Sequence, residues 1–203
     1  MNWTEAESQL QKDSNIGPLI RRFGHCSIKK RPKSRYYISL VRAIIGQQLS
    51  VKAAATIYGR LEDLLNSNIT PGNVLTTHGN SFRKAGLSRG KVVYIKDLAQ
   101  KVQNNEVEIY KMDKLDNEIV VKELVAVKGI GQWTAEMFLM FSLARPDIFP
   151  IDDLGLRNGF KKTIGNYKPE NMVRYAKRWS PYRSVASWYL WRSLEVGPPE
   201  QIA

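Results

Sequence analysis

Tyr37, Leu40, Val41, Ile44 and Ile45 recur at spacings of three and four, which builds one apolar helical face. The next segment, VKAAATIYGRLEDLL, is rich in alanine and leucine and follows Ser50, a side chain suited to cap it. TPGN, residues 70–73, reads as a turn. After Leu87-Ser88-Arg89 the pattern predicts a helix with Ile95, Leu98, Ala99 and Val102 on one side. Residues 116–126 and 132–144 predict two more helices, flanking the stretch VKGIGQ. Asp153 heads a helix with Leu156, Phe160 and Ile164 along one face, and Pro169 suits the first turn of the next. The last helix runs from about Tyr182 to Glu195. No stretch alternates with period two, so no substantial sheet is expected.

The fold expected is therefore all-α: two helical lobes around a central cleft. One lobe would hold about residues 36–105, the other about 106–203 with the N-terminal segment, within a single domain spanning 1–203. No flexible linker announces a boundary, and no repeat or low-complexity tract is visible.

Charge sharpens the picture. Lys and Arg number 31 against 19 Asp and Glu, a formal charge of +12. That excess points to a polyanionic partner, nucleic acid ahead of an anionic membrane surface. Cys26 is the single cysteine, and His25 and His78 are the only histidines. A disulfide framework and a four-cysteine zinc or iron–sulfur site are thereby excluded, and a conventional transition-metal centre is not expected. The polar, acidic start MNWTEAESQLQKDSN is no signal peptide, and no apolar run has the length of a membrane span. A soluble, intracellular protein with a reduced Cys26 is the expectation. IKKRPKSR, residues 28–35, is a basic loop that serves equally as a solvated connector or as a phosphate contact.

Two glycines one residue apart, Gly129 and Gly131, sit between two predicted helices. The arrangement of helix, tight Gly-x-Gly turn and helix is a helix-hairpin-helix. Without Cβ atoms, Gly129 and Gly131 let backbone amides approach a phosphate. The following helix, opening with Gln132 and Thr134, adds its positive end, and Lys128 adds charge. Ile130 would point inward between the helices. The plain alternative is a glycine cap that only joins two helices.

LVAVKGIGQWTAEMFLMF, followed by FPIDDLGLRNGF, resembles the helix-hairpin-helix DNA glycosylases, and most nearly their 3-methyladenine DNA glycosylase II branch. LVRAIIGQQLSVKAA, AGLSRGKVVYIKDLA and RWSPYRSVASWYLW resemble further family segments, so the likeness covers roughly residues 36–195. Two departures stand out. The chain starts almost at the helical core, without the β-rich N-terminal domain of some members. Where the endonuclease III relatives carry a Schiff-base lysine, this chain has Trp133.

The resemblance implies a set of roles. Asp153 would be the catalytic carboxylate, stabilising an oxocarbenium-like sugar and handling water, with Asp152 mainly structural. Helix capping is the competing reading of both aspartates. A base is cut only after it leaves the stack, so a side chain must fill the gap. Gln48 or Leu49, at the turn between two helices, would do this, Gln48 preferred; Leu49 packing into the core is the alternative. Trp133 and Trp191 would stack on a charged alkylated base by cation–π attraction, or else serve as core. Lys128, Gly129, Gly131, Gln132, Thr134, Arg89 and Lys91 would contact the DNA backbone, with Lys52 a further candidate. The family's hairpin also accommodates a monovalent cation on backbone carbonyls, although no side chains form a metal site. No cofactor is implied.

The function expected is a monofunctional DNA N-glycosylase for alkylated purines, 3-methyladenine above all, that starts base-excision repair and has no β-lyase activity. It would act as a monomer on double-stranded DNA carrying damaged bases, away from membranes, in the cytoplasm at the nucleoid, or in the nucleus of a eukaryote. A non-catalytic DNA-binding hairpin module, or a glycosylase for another damaged or mismatched base, are the competing readings.

Overall fold

The computed structural model describes residues 3–195. Helices and short 3-10 turns make up its regular structure, and no strand occurs among the described residues. The chain divides into two compact units: a hairpin unit, Arg31–Phe138, and a terminal unit joining the residues up to Lys30 with those from Leu139 on. The sequence pattern suggested a division near residue 105 instead. Residues 106–138 stay with the hairpin unit because their elements pack against its helices, as Tyr36 packs edge-on against Phe138 at 5.5 Å.

The terminal unit begins with α1 (Thr4–Leu10) and α2 (Ile16–Phe23). Both helices escape a reading that sees only a polar N-terminus, because their apolar residues are spread thinly, although Ala6, Leu10, Ile16 and Ile20 are buried. Buried Glu7 fastens this segment: it accepts from Cys26 N at 2.7 Å and Tyr189 Oη at 3.1 Å, with His25 Nδ1 at 2.8 Å. Burial alone would raise the Glu7 carboxyl, but these hydrogen bonds outweigh it and hold it below its ordinary value.

The hairpin unit is built on α3 (Tyr36–Gly46), whose Tyr36, Tyr37, Leu40, Val41, Ile44 and Ile45 are all buried. Ser50 caps α4 (Val51–Leu64), its hydroxyl accepting from Ala53 N at 3.3 Å. TPGN is not a free turn. Thr70 caps a short helix, α5 (Pro71–Thr76), and Pro71 occupies its first turn, where its missing N–H costs nothing. α6 (Gly79–Lys84) leads to α7 (Arg89–Gln103), capped by Ser88 and burying Ile95, Leu98 and Ala99 as its spacing predicts. α8 (Asn117–Val125) and α9 (Gln132–Phe141) flank the glycine turn, and the division between units falls within α9.

The terminal unit continues with α10 (Leu154–Thr163), α11 (Pro169–Ala176) and α12 (Arg183–Ser193). From Ser184 to Trp191 every residue of α12 is buried. α10 meets it at Gly159, where a Cβ would lie 2.2 Å from Leu190 O. Only glycine permits that approach, and it sets the start of α10 beside Trp191.

Candidate functional site

In the hairpin unit, the turn after α8 carries Gly129 at φ +80°, a conformation that favours glycine. A Cβ there would come within 2.2 Å of Tyr94 Cδ2, so the Tyr94 ring lies directly against the bend. Gly131 differs: its φ is not positive, and nothing stands within 4 Å of where its Cβ would be. Gly129 thus serves the packing, while Gly131 leaves open space outside the chain. Ile130 is buried, as its inward orientation predicts. Ala135 N is the first amide in the α9 ladder, bonding Gly131 O at 3.1 Å. The amides before it belong to the positive end of the helix.

The other proposed backbone contacts divide. Lys128 Nζ is exposed and only 3.8 Å from Asp97 Oδ1, a surface pair that a phosphate displaces at little cost. Its amide is already committed to Asp97 Oδ2 at 2.9 Å. Arg89 is exposed at the start of α7, and Gln132 is exposed with its amide nitrogen on Glu136 Oε1 at 3.0 Å. Thr134 is buried, so its side chain is no surface contact and only its backbone remains as a donor.

Lys91 overturns the expectation. Its Nζ donates to Ile45 O and Gln47 O, each at 2.7 Å, closing the carbonyl end of α3. Burial pushes this ammonium below the ordinary lysine range. Lysine at the C-terminus of a helix satisfies orphan carbonyls and the negative helix end together. Lys91 therefore holds the turn after α3 and does not reach for phosphate. Replacing Arg89 with methionine should reduce the slope of log affinity against log salt by about one phosphate contact. Lys91→Met should leave that slope unchanged, as measured by titration of duplex DNA at several salt concentrations.

The turn between α3 and α4 projects Gln48, exposed and at φ +58°. Leu49 is 39% exposed and is not the core residue its alternative reading required. Gln47, beside them, turns back and donates from Nε2 to Gly129 O at 2.7 Å. Val127 O accepts from Ile130 N, so each of these two hairpin carbonyls already takes one hydrogen bond. No group of His, Cys, Asp and Glu among the described residues has the makings of a metal site. A cavity of about 410 Å³ opens between the two turns, lined by Gln47, Gln48, Ser88, Gly90, Lys91, Tyr94 and Trp133. Trp133, half-buried, is one of its walls. Tyr94 joins it there, a residue the spacing pattern could not distinguish from an ordinary amphipathic side chain.

In the terminal unit, Asp153 is both a cap and a buried carboxylate. Its Oδ1 accepts from Leu156 N at 2.6 Å and from Trp191 Nε1 at 2.8 Å. Two donors on one oxygen fix the side chain's rotamer and aim, while Oδ2 takes part in neither bond. Gly155 makes the arrangement possible: a Cβ there would lie 3.0 Å from Asp153 Oδ1 and 3.1 Å from Trp191 Cδ1. Trp191 is 2% exposed and tilted against Phe141 at 5.9 Å. Its face is closed to a stacking base, so it is a positioning residue for Asp153 rather than a pocket wall. Asp152 is exposed and makes no hydrogen bond among the described residues; the capping expected of it falls to Asp153.

The model of the HhH-GPD superfamily of base excision DNA repair proteins matches residues 41–182. DNA-3-methyladenine glycosylase 1 of Schizosaccharomyces pombe is 33% identical over 201 residues, covering 95% of this chain and 88% of that protein. A crystal structure of DNA-3-methyladenine glycosidase from Bacillus halodurans superposes with a TM-score of 0.86 at 34% identity, covering 97% of this chain and 92% of the other. The S. pombe 3-methyladenine DNA glycosylase Mag1 in complex with abasic DNA superposes with a TM-score of 0.82 at 30% identity, covering 95% and 98%.

Proposed function

The chain belongs to the HhH-GPD superfamily of base excision DNA repair proteins, and we propose that Asp153 is the carboxylate with which it excises alkylated purines. It is an alkylbase DNA glycosylase that starts base-excision repair, and DNA is its substrate. The observation that carries the catalytic assignment is the pair of donors on Asp153 Oδ1, which presents a single pre-aimed negative charge.

Cleavage of the N-glycosidic bond leaves positive charge on the sugar as the base departs with the bonding electrons. A fixed carboxylate stabilises that charge without reorganising, and it orients or deprotonates the water that completes hydrolysis. An alkylated purine that is already cationic leaves readily, so the carboxylate and its orientation suffice. Trp133 offers a π-face to such a base, worth about 0.5–2 kcal/mol. Gly131 and the amides opening α9 anchor the strand by its phosphates, and Gln48 with Leu49 fills the gap left by the everted nucleotide. With an indole at position 133, no amine stands there to form an imine, so the reaction stops at the abasic site. The chain acts as a monomer on duplex DNA containing 3-methyladenine, in the compartment that holds the genome.

Incubation with methylated duplex DNA should release free 3-methyladenine and leave heat-labile abasic sites without strand cleavage. Failure to release any base would reduce the protein to a DNA clamp. A borohydride-trapped covalent adduct would overturn the hydrolytic assignment.

A further inference from the structure

The turns that bear Gln48 and Gly131 are far apart in sequence yet share one support. Gln47 Nε2 donates to Gly129 O at 2.7 Å across 82 residues of chain. Lys91 Nζ holds Ile45 O and Gln47 O on the same side of the tip. Three residues along α7 from Lys91, Tyr94 lies against Gly129; three further on, Asp97 accepts from Lys128 N at 2.9 Å. A single helical face, Lys91–Tyr94–Asp97, therefore backs both turns, and Gln47 ties one directly to the other. The bonds on Gly129 O and Gln47 O act beyond the end of α3, where Gln48 adopts a left-handed conformation that a loose turn would not hold.

We propose that Gln47, with Lys91 behind it, is a positioning residue that locks the intercalating tip to the phosphate-gripping hairpin. Strand anchorage then drives insertion as one rigid movement. The inference rests on reading Gln48 and Leu49 as the wedge. Without the strut, the hairpin still grips DNA, but the tip yields instead of entering the stack.

Gln47→Glu keeps the side chain's size and removes the donor to Gly129 O. Single-turnover excision from methylated duplex should fall on the order of tenfold, with affinity for undamaged duplex within about threefold and an unchanged unfolding midpoint. Fluorescence of 2-aminopurine placed beside the damaged base should rise less than with the parent protein. The loss should shrink when the damaged base sits in a mismatch, where opening costs less. Combined with Gln48→Ala, the substitution should add nothing further, because it acts through the tip. Losses that multiply with those of Gln48→Ala, or that are equal on matched and mismatched substrates, would overturn the coupling. If Gln48→Ala together with Leu49→Ala opens the duplex normally, the wedge reading itself fails, and the lock with it.

Discussion

Asp153→Asn should lower base release from methylated duplex DNA by about a thousandfold, while the protein stays folded and binds DNA nearly as before. The contacts of Asp153 make this substitution informative. An asparagine oxygen replaces Oδ1 as acceptor for Leu156 N and Trp191 Nε1, so the cap and the tryptophan bond survive. What disappears is the negative charge opposite the nascent sugar cation. Asp153→Ala would confound the result, losing a cap worth about 1 kcal/mol and orphaning a buried indole N–H for about 1–3 kcal/mol. Single-turnover release, the unfolding midpoint and affinity for abasic duplex together separate charge from structure. Release by Asp153→Asn at the parent rate would remove the carboxylate from the mechanism.

Trp191→Phe should act in the same direction and more weakly, since Asp153 Oδ1 keeps Leu156 N but loses its second donor. This role shows where the sequence was legible and where it was not. The apolar face of α3, the serine cap of α4 and the glycine turn were readable because each depends on neighbours within a few residues. Asp153 was readable as a cap by local chemistry, and the resemblance marks the same carboxylate as the proposed catalyst. Trp191 was placed in a pocket because an indole's partner is set by which helix crosses its own. Here that crossing depends on Gly155 and Gly159, whose missing side chains carry no periodic signal. Lys91 failed for a related reason: sequence shows a charge near a helix start, not whether the ammonium reaches water or the end of another helix. The cost of leaving α3's carbonyls unpaired decides the matter, and only the packed structure reveals it.

The two hairpin glycines should separate cleanly when each is replaced. Gly129→Ala places a methyl group 2.2 Å from Tyr94 Cδ2 and holds it at φ +80°. Left-handed backbone costs an alanine about 1–2 kcal/mol, and the steric intrusion about 1–3 kcal/mol more. The expected result is a loss of about 3 kcal/mol, a fall of roughly 10 °C in the unfolding midpoint of a chain this size. Adding Tyr94→Ala should recover the steric part but not the backbone part. Gly131→Leu meets nothing within 4 Å, and glycine lends no side-chain cap there for leucine to forfeit. Its midpoint should move by less than about 0.5 kcal/mol equivalent. Its affinity for duplex DNA should drop about tenfold, alike for every sequence, because the added side chain keeps phosphates from the amides that open α9. Calorimetry and binding titrations on both variants distinguish the two demands. Unaltered DNA affinity in Gly131→Leu would mean that the strand is held elsewhere. An unaltered midpoint in Gly129→Ala would mean that Tyr94 does not brace the bend, and the rigidity on which the Gln47 strut depends would be lost with it.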